Sequence, residues 1–178
     1  QLAVFVVGDA MSAIDRASGD SGPGYRAFLS TALPYELGRH HDEVLVLNAG
    51  TGADVLQAAT FGSGHIDAVE ADAQLTRLLS DTFADYAGWQ AIADRVSLHT
   101  TTARAWAASA PRQYDLVAMG VPGASTGGAA GVFAFATGFD LTVDAIEDYL
   151  AVLRPDGYLA ITLWTDTPPK GNLRLFSS

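Results

Sequence analysis

The stretch Val44-Leu45-Val46-Leu47-Asn48-Ala49-Gly50-Thr51-Gly52-Ala53-Asp54 decides the fold. A short, unbroken apolar run with no polar face reads as a strand covered on both sides, which is how strands of parallel sheets look. The glycines that follow let the backbone turn sharply and approach a ligand where a Cβ would clash. Ala53 to Ala59 then has helical character, so the turn ends at a helix start with free N–H groups. Strand, glycine turn and helix are the opening of a nucleotide-binding α/β unit.

Working outward, the same alternation continues. His65 to Ala71 reads as a strand, and Ala73 to Tyr86 as a helix with Leu75, Leu78, Leu79, Thr82 and Phe83 at helical spacing. Val96 to Thr100 is a strand, Ala103 to Ser109 a helix and Tyr114 to Met119 a strand. Thr142 opens a helix through Leu153, which Arg154-Pro155-Asp156-Gly157 stops, and Tyr158 to Trp164 is the fifth strand. The expected fold class is α/β: a doubly wound, mostly parallel Rossmann-like sheet with helices on both faces. Ahead of it, Ala3 to Val7 and Met11 to Ile14 flank Gly8-Asp9 as a small β-hairpin. Gly19 to Gly24 reads as a linker, and Tyr25 to Leu37 as a helix. The expected division is therefore 1–24 for hairpin and linker, and 25–178 for a nucleoside-binding domain.

Composition narrows the function classes. The 178 residues suffice for one domain with a sizeable core, and 49% are hydrophobic against 17% charged, which excludes a disordered chain. The absence of cysteine excludes a disulfide scaffold, a thiol nucleophile and any thiolate metal site. Twenty Asp and Glu against ten Lys and Arg, a net charge of −10, argue against binding nucleic acid or anionic lipid through phosphates and suit a cationic or zwitterionic small substrate. The uncharged run from Leu116 to Phe139 carries too many glycines, with Pro122, for a membrane span and reads as a loop with one short helix. Leu2 to Val7 is too short for the core of a secretory signal, so a cytoplasmic domain is expected. A chain beginning at Gln1 is expected to be cut from something longer.

Eighteen positions beyond Gly52, the second strand ends at Glu70 in Ala68-Val69-Glu70-Ala71-Asp72. An acid there can accept both hydroxyls of a ribose. The flanking Asn48 and Asp54 leave the glycine pattern thinner than a full dinucleotide fingerprint, which favours a single nucleoside such as S-adenosylmethionine over NAD. Other candidates have plainer explanations. His40-His41 reads as a solvated turn, His99 as a polar strand end, Asp115 as structural and Asp72 as a helix cap. Tyr25, Tyr35, Phe139 and Trp164 read as packing residues. Ser125-Thr126-Gly127-Gly128 lacks the lysine of a P-loop and reads as a glycine-rich lid.

The span from Tyr25 to Trp164, about four fifths of the chain, resembles the spermidine synthase (aminopropyltransferase) branch of the class I S-adenosylmethionine-dependent methyltransferase fold. The words that carry the resemblance are Leu33-Pro34, residues 44–52, Val69-Glu70-Ala71-Asp72, Tyr114-Asp115-Leu116-Val117, and Leu141-Thr142-Val143-Asp144-Ala145 through Leu153-Arg154-Pro155-Asp156-Gly157. It implies a transferase of bacterial polyamine biosynthesis, with S-adenosylmethionine or its decarboxylated form as cofactor and no metal. It also implies an amine acceptor, a homodimer and, in some relatives, attachment to a membrane region outside this chain. The family's final helix and two-strand hairpin have no counterpart before Ser178.

Residue by residue, the resemblance places the cofactor against Asn48, Gly50, Thr51, Gly52, Asp54, Glu70, Thr102 and Gly120. Thr51 stands where the family has the Asp that faces the aminopropyl ammonium, and Thr102 where it has the adenine-contact acid. Gly120-Val121-Pro122-Gly123 stands where the family has Asp-Ser-x-Asp, so both acids of that loop are missing and no catalytic residue is assigned. Asp54 has two readings, an ammonium contact and a helix N-terminal acid favoured by the macrodipole. Three functions remain open: aminopropyl transfer, methyl transfer, and a degenerate domain kept for structure or ligand sensing. The missing acids also weaken the link between the negative charge and a cationic substrate.

Overall fold

The computed structural model describes residues 2–6, 10–16, 24–37, 40–120 and 140–163. Two strands, β1 (Leu2–Val6) and β2 (Ala10–Ile14), pair antiparallel as a separate hairpin. Five others, β3 (Glu43–Leu47), β4 (His65–Glu70), β5 (Val96–Thr100), β6 (Tyr114–Met119) and β7 (Leu153–Ile161), form one parallel sheet in the order β5-β4-β3-β6-β7. The doubly wound α/β reading is therefore correct. The chain runs outward from β3 to β5 and returns to β6 on the other side of β3. The carboxyl ends of β3 and β6 thus flank the switch point where such sheets take ligands.

Strand alternation explains why both faces are covered. Val44 and Val46 face one layer with Val55, Ala58, Leu79 and Trp89, while Leu45 and Leu47 face the other with Ala103, Tyr114, Val117 and Tyr149. Val44, Leu45, Val46 and Leu47 are fully buried, each contributing about 1.5–3 kcal/mol through removal from water. The first layer carries α2 (Ala53–Thr60), and the second carries α5 (Ala103–Ala107) and α6 (Val143–Ala151).

Three elements differ from the sequence reading. The expected helix over 25–37 is two 3-10 turns, Gly24–Phe28 and Ser30–Ala32, followed by the one-turn helix α1 (Leu33–Glu36). Pro34 lacks the N–H and its ring opposes the carbonyl four residues back, so a continuous helix through it is disfavoured. The expected helix over 73–86 breaks into α3 (Ala73–Arg77), a π turn over Leu78–Thr82, and α4 (Ala84–Ala87) closed by Gly88 at φ 68°. The wide turn is closed by Phe83 N–H donating to Leu78 O at 2.9 Å. Finally, β7 begins at Leu153 rather than Tyr158. Residues 154–157 bulge opposite the single residue Asp115, which receives Arg154 Nη1 at 2.6 Å and Glu43 N–H at 2.9 Å.

The lid and short helix read within 121–139, the linker over 19–23, Phe139 and Trp164 lie outside the described residues. Among the described residues no helix is long and apolar enough to cross a membrane.

Candidate functional site

The turn after β3 is held by backbone geometry that its sequence permits. Asn48 (φ 55°), Gly50 (φ 54°) and Gly52 (φ 83°) all lie in the left-handed region, which glycine enters freely and asparagine tolerates better than most residues. Asn48 Nδ2 donates to Asp140 Oδ2 at 3.1 Å, ahead of α6. Gly52 has a second constraint: a Cβ there would meet Leu79 at 3.1 Å and Trp89 at 3.3 Å. The π turn thus presses Leu79 against the glycine loop. Over Gly50 the space is open, because a Cβ there would meet nothing nearer than Asn48 O at 3.8 Å.

Glu70, at the end of β4 and 9% exposed, organises the neighbouring loops. Its Oε2 accepts Gly50 N–H at 2.7 Å and its Oε1 accepts Asp72 N–H at 2.8 Å. A carboxylate has about four lone-pair directions, so each oxygen keeps one for a further donor. One strand further, Thr101 N–H donates to Glu70 O at 3.1 Å and Thr102 Oγ1 caps α5 by accepting Ala105 N–H at 3.3 Å. Asp72 is likewise a cap, for α3, accepting Gln74 N–H at 2.7 Å.

Thr51 turns away from the open side: its hydroxyl donates to Ala13 O of β2 at 2.8 Å and fastens the hairpin to the glycine loop. A second tie joins the same region, since Asp15 accepts from the Tyr25 hydroxyl and pairs with Arg26 at 3.4 Å. The hairpin is therefore attached at the site itself.

Asp54, in the first turn of α2, extends its carboxylate toward the end of β6. One of its oxygens occupies the space that a Cβ at Gly120 would need, so glycine at 120 makes room for the acid. Asp54 has no hydrogen-bond or ion-pair partner among the described residues, and burial pushes its carboxyl above the usual aspartate range. It opens onto a small pocket lined by Thr31, Tyr35, Gly120 and Thr162. The Tyr35 hydroxyl there is buried and, among the described residues, unpaired. Burial first, and the Asp54 charge second, raise the Tyr35 phenol. Tyr35 is held by stacking on Phe61 at 5.2 Å and by an edge contact with His41 at 6.0 Å.

The eight residues named from the sequence thus lie along the carboxyl ends of β3, β4, β5 and β6. Direct contacts join Gly50 to Glu70 and Asp54 to Gly120. One reading needs correction. His41 is no solvated turn residue: it is 4% exposed and bonds Pro34 O at 3.0 Å. His99 is, as read, a polar residue near the end of β5; it is half-buried, stacked on Trp106 at 3.8 Å with its Nε2 2.7 Å from Asp67 Oδ1.

Sequence reasoning missed Asp67, an acid 2% exposed inside β4. It is also contacted by His65 at 3.3 Å, the Tyr114 hydroxyl at 2.9 Å and Arg112 at 3.6 Å. A charged residue within an otherwise apolar strand was the available signal. It lies in mid-strand, and among the described residues no group of three or more such side chains could hold a metal ion.

Neither a protein-family model nor a curated protein matches the chain. Solved structures do. A spermidine synthase from Thermotoga maritima superposes with a TM-score of 0.57 at 13% identity, over 77% of this chain and 43% of that one. A spermidine synthase in complex with the transition-state analogue AdoDATO gives 0.56 at 12%, over 77% and 42%. An rRNA methylase from Streptococcus thermophilus gives 0.53 at 16%, over 84% and 78%. The chain thus spans less than half the length of the two synthases. At these identities the likeness is one of fold, and the chain has the Rossmann-like fold shared by spermidine synthases and S-adenosylmethionine-dependent methyltransferases.

Proposed function

We propose that the chain is an S-adenosyl-nucleoside-binding transferase domain. The observation that carries this reading is the Glu70 carboxylate, which gathers the Gly50 and Asp72 amides at the switch-point side of the sheet and keeps acceptor capacity on both oxygens. In this reading Glu70 takes the ribose hydroxyls, and the open backbone at Gly50 admits the nucleoside's close approach. Gly52 and Asn48 hold the turn, Thr51 and Thr102 shape its two sides, and Gly120 closes the end of β6. The bound sulfonium would supply an activated carbon for transfer.

Within this reading, a nucleoside with a cationic tail and no carboxylate suits the site better. The pocket beside Gly120 contains the Asp54 carboxylate and no Lys or Arg among its lining residues. That favours the decarboxylated form and hence aminopropyl over methyl transfer. A non-catalytic ligand sensor is the second reading, favoured by the engagement of Thr51 with the hairpin and of Thr102 with α5.

The test is calorimetry with S-adenosylmethionine, its decarboxylated form and methylthioadenosine on the wild type and Glu70→Ala. Micromolar to millimolar binding that Glu70→Ala abolishes, tightest for the decarboxylated nucleoside, is expected. No heat with any of the three at millimolar ligand removes the reading.

A further inference from the structure

Four side chains form a closed circuit beneath α5. Asp67 accepts His99 Nε2–H on one carboxylate oxygen at 2.7 Å and the Tyr114 hydroxyl on the other at 2.9 Å. Trp106 of α5 meets both of these partners. Its indole stacks on the His99 ring at 3.8 Å, 28° from parallel, and its Nε1–H donates to the Tyr114 hydroxyl at 3.1 Å. An ionised carboxylate only accepts, so His99 carries a proton at Nε2 and its ring is pinned by that bond. Helix α5 depends on such an anchor. Its five residues, Ala103-Arg104-Ala105-Trp106-Ala107, fall far short of the about 12–15 that an isolated helix needs. Its buried side chains are Ala103 and Ala107, which bring little apolar area. Arg104 reaches Asp148 at 3.3 Å and Asp144 at 3.9 Å on α6, pairs in contact with solvent that contribute little. Trp106 is the one large apolar side chain of α5, so the place of the helix on the sheet follows from where His99 and Tyr114 hold the indole.

The start of α5 borders the site: Thr102 caps the helix, and beside it Thr101 N–H donates to Glu70 O at 3.1 Å. We propose that His99 is a positioning residue for the nucleoside's base: braced between Asp67 and Trp106, it sets the place of α5 and so of the Thr101-Thr102 turn that flanks the base beside Glu70. The inference rests on the nucleoside-binding reading above. A carboxylate in the middle of an apolar strand argues for a geometric role. Exchanging a buried charged network for apolar residues of the same volume is often neutral or stabilising, whereas a fully satisfied network specifies one arrangement. Each Asp67 oxygen is committed to one of the two partners of Trp106, so the circuit closes in one way. His65 provides an internal comparison. Its Nε2 lies 3.3 Å from the same Asp67 oxygen as His99, but among the described residues it makes no ring contact with Trp106.

Calorimetry with methylthioadenosine reads affinity, and amide hydrogen exchange over residues 102–107 reads the attachment of α5 in the same proteins without ligand. His99→Ala should weaken methylthioadenosine about fivefold and accelerate exchange across α5. His99→Phe, which restores a ring against Trp106, should recover part of both. His65→Ala, which removes a donor from the same carboxylate, should leave affinity and exchange within about twofold of wild type. Trp106→Phe keeps a ring and drops the N–H; it covers the case in which His99→Ala does not fold, and should weaken binding about two- to threefold. Equal losses of affinity in His65→Ala and His99→Ala would mark a general loss of stability and overturn the assignment. So would a folded His99→Ala, or a folded Trp106→Phe in its place, that binds methylthioadenosine as the wild type does. Failure of methylthioadenosine to bind the wild type is a different result: it removes the nucleoside reading, and this inference with it.

Discussion

Asp54 and Gly120 compete for one volume: the carboxylate of the first fills the space where the second would carry a Cβ. Any residue other than glycine at 120 must therefore push Asp54 out or distort the end of β6. Gly120→Ala is expected to cost up to about 1 kcal/mol, because the atom in the way is the end of the Asp54 side chain, which can rotate aside. In an Asp54→Ala background the same change should cost far less, because the obstruction is gone. Urea denaturation of the two single variants and the double variant measures the coupling. Additive effects would show that the two side chains do not share this space.

Gly52 combines a φ of 83° with Leu79 and Trp89 close to its open side. Gly52→Ala should lower stability by about 1–3 kcal/mol. Trimming Leu79 to Ala alongside it should relieve only the packing part, since the left-handed backbone remains strained for alanine. Denaturant midpoints of the single and paired variants separate the two contributions.

Glu70→Gln keeps one acceptor oxygen while Glu70→Ala keeps none. The Gly50 and Asp72 amides would then lose one or both partners. Stability should fall by about 1–3 kcal/mol for alanine and by less for glutamine. Amide hydrogen exchange at Gly50 and Asp72 should accelerate in the same order, and unchanged exchange in Glu70→Ala would contradict the hydrogen bonds described above.

Asp67 makes acid stability depend on one buried cluster. Burial by itself would raise its carboxyl, but hydrogen bonds from His99, Tyr114 and His65 outweigh that and hold it below the ordinary aspartate range. A carboxyl depressed in the folded state stabilises the protein above its unfolded value, about 4. That contribution disappears as pH falls through the folded value. Asp67→Asn should reduce stability at neutral pH by about 1–3 kcal/mol and flatten the loss between about pH 4 and lower pH. Melting temperatures across that range give the comparison, and an unaltered acid limb would rule out Asp67 as its source.

Thr51 links the hairpin to the glycine loop through Ala13. Thr51→Val removes the hydroxyl while keeping the shape, and should cost about 0.5–1.5 kcal/mol. Limited proteolysis near the amino terminus should become faster, whereas a protease pattern identical to wild type would mean that the tie is not what holds the hairpin.

The strand identities, the glycine turn and the position of Glu70 were legible in the sequence, because each rests on local chemistry. Val44 to Leu47 could only be a strand covered on both faces. Gly50 and Gly52 mark a turn that needs left-handed backbone, and Thr142 and Asp72 are capping residues wherever such helices occur. The helical reading of 25–37 failed at Pro34, and that of 73–86 failed where packing of Leu79 on Gly52 accompanies a π turn, a long-range contact invisible to periodicity. Sheet order, the attachment of the hairpin at Thr51, and the gathering of His99 and Tyr114 on Asp67 likewise join residues far apart in the chain. The acids absent from the stretch after β6 were evident from sequence alone. That Asp54, 66 positions before Gly120 in the numbering, puts a carboxylate into that space was decided only by the fold bringing the start of α2 next to the end of β6, because two residues occupy one volume through folding and not through spacing.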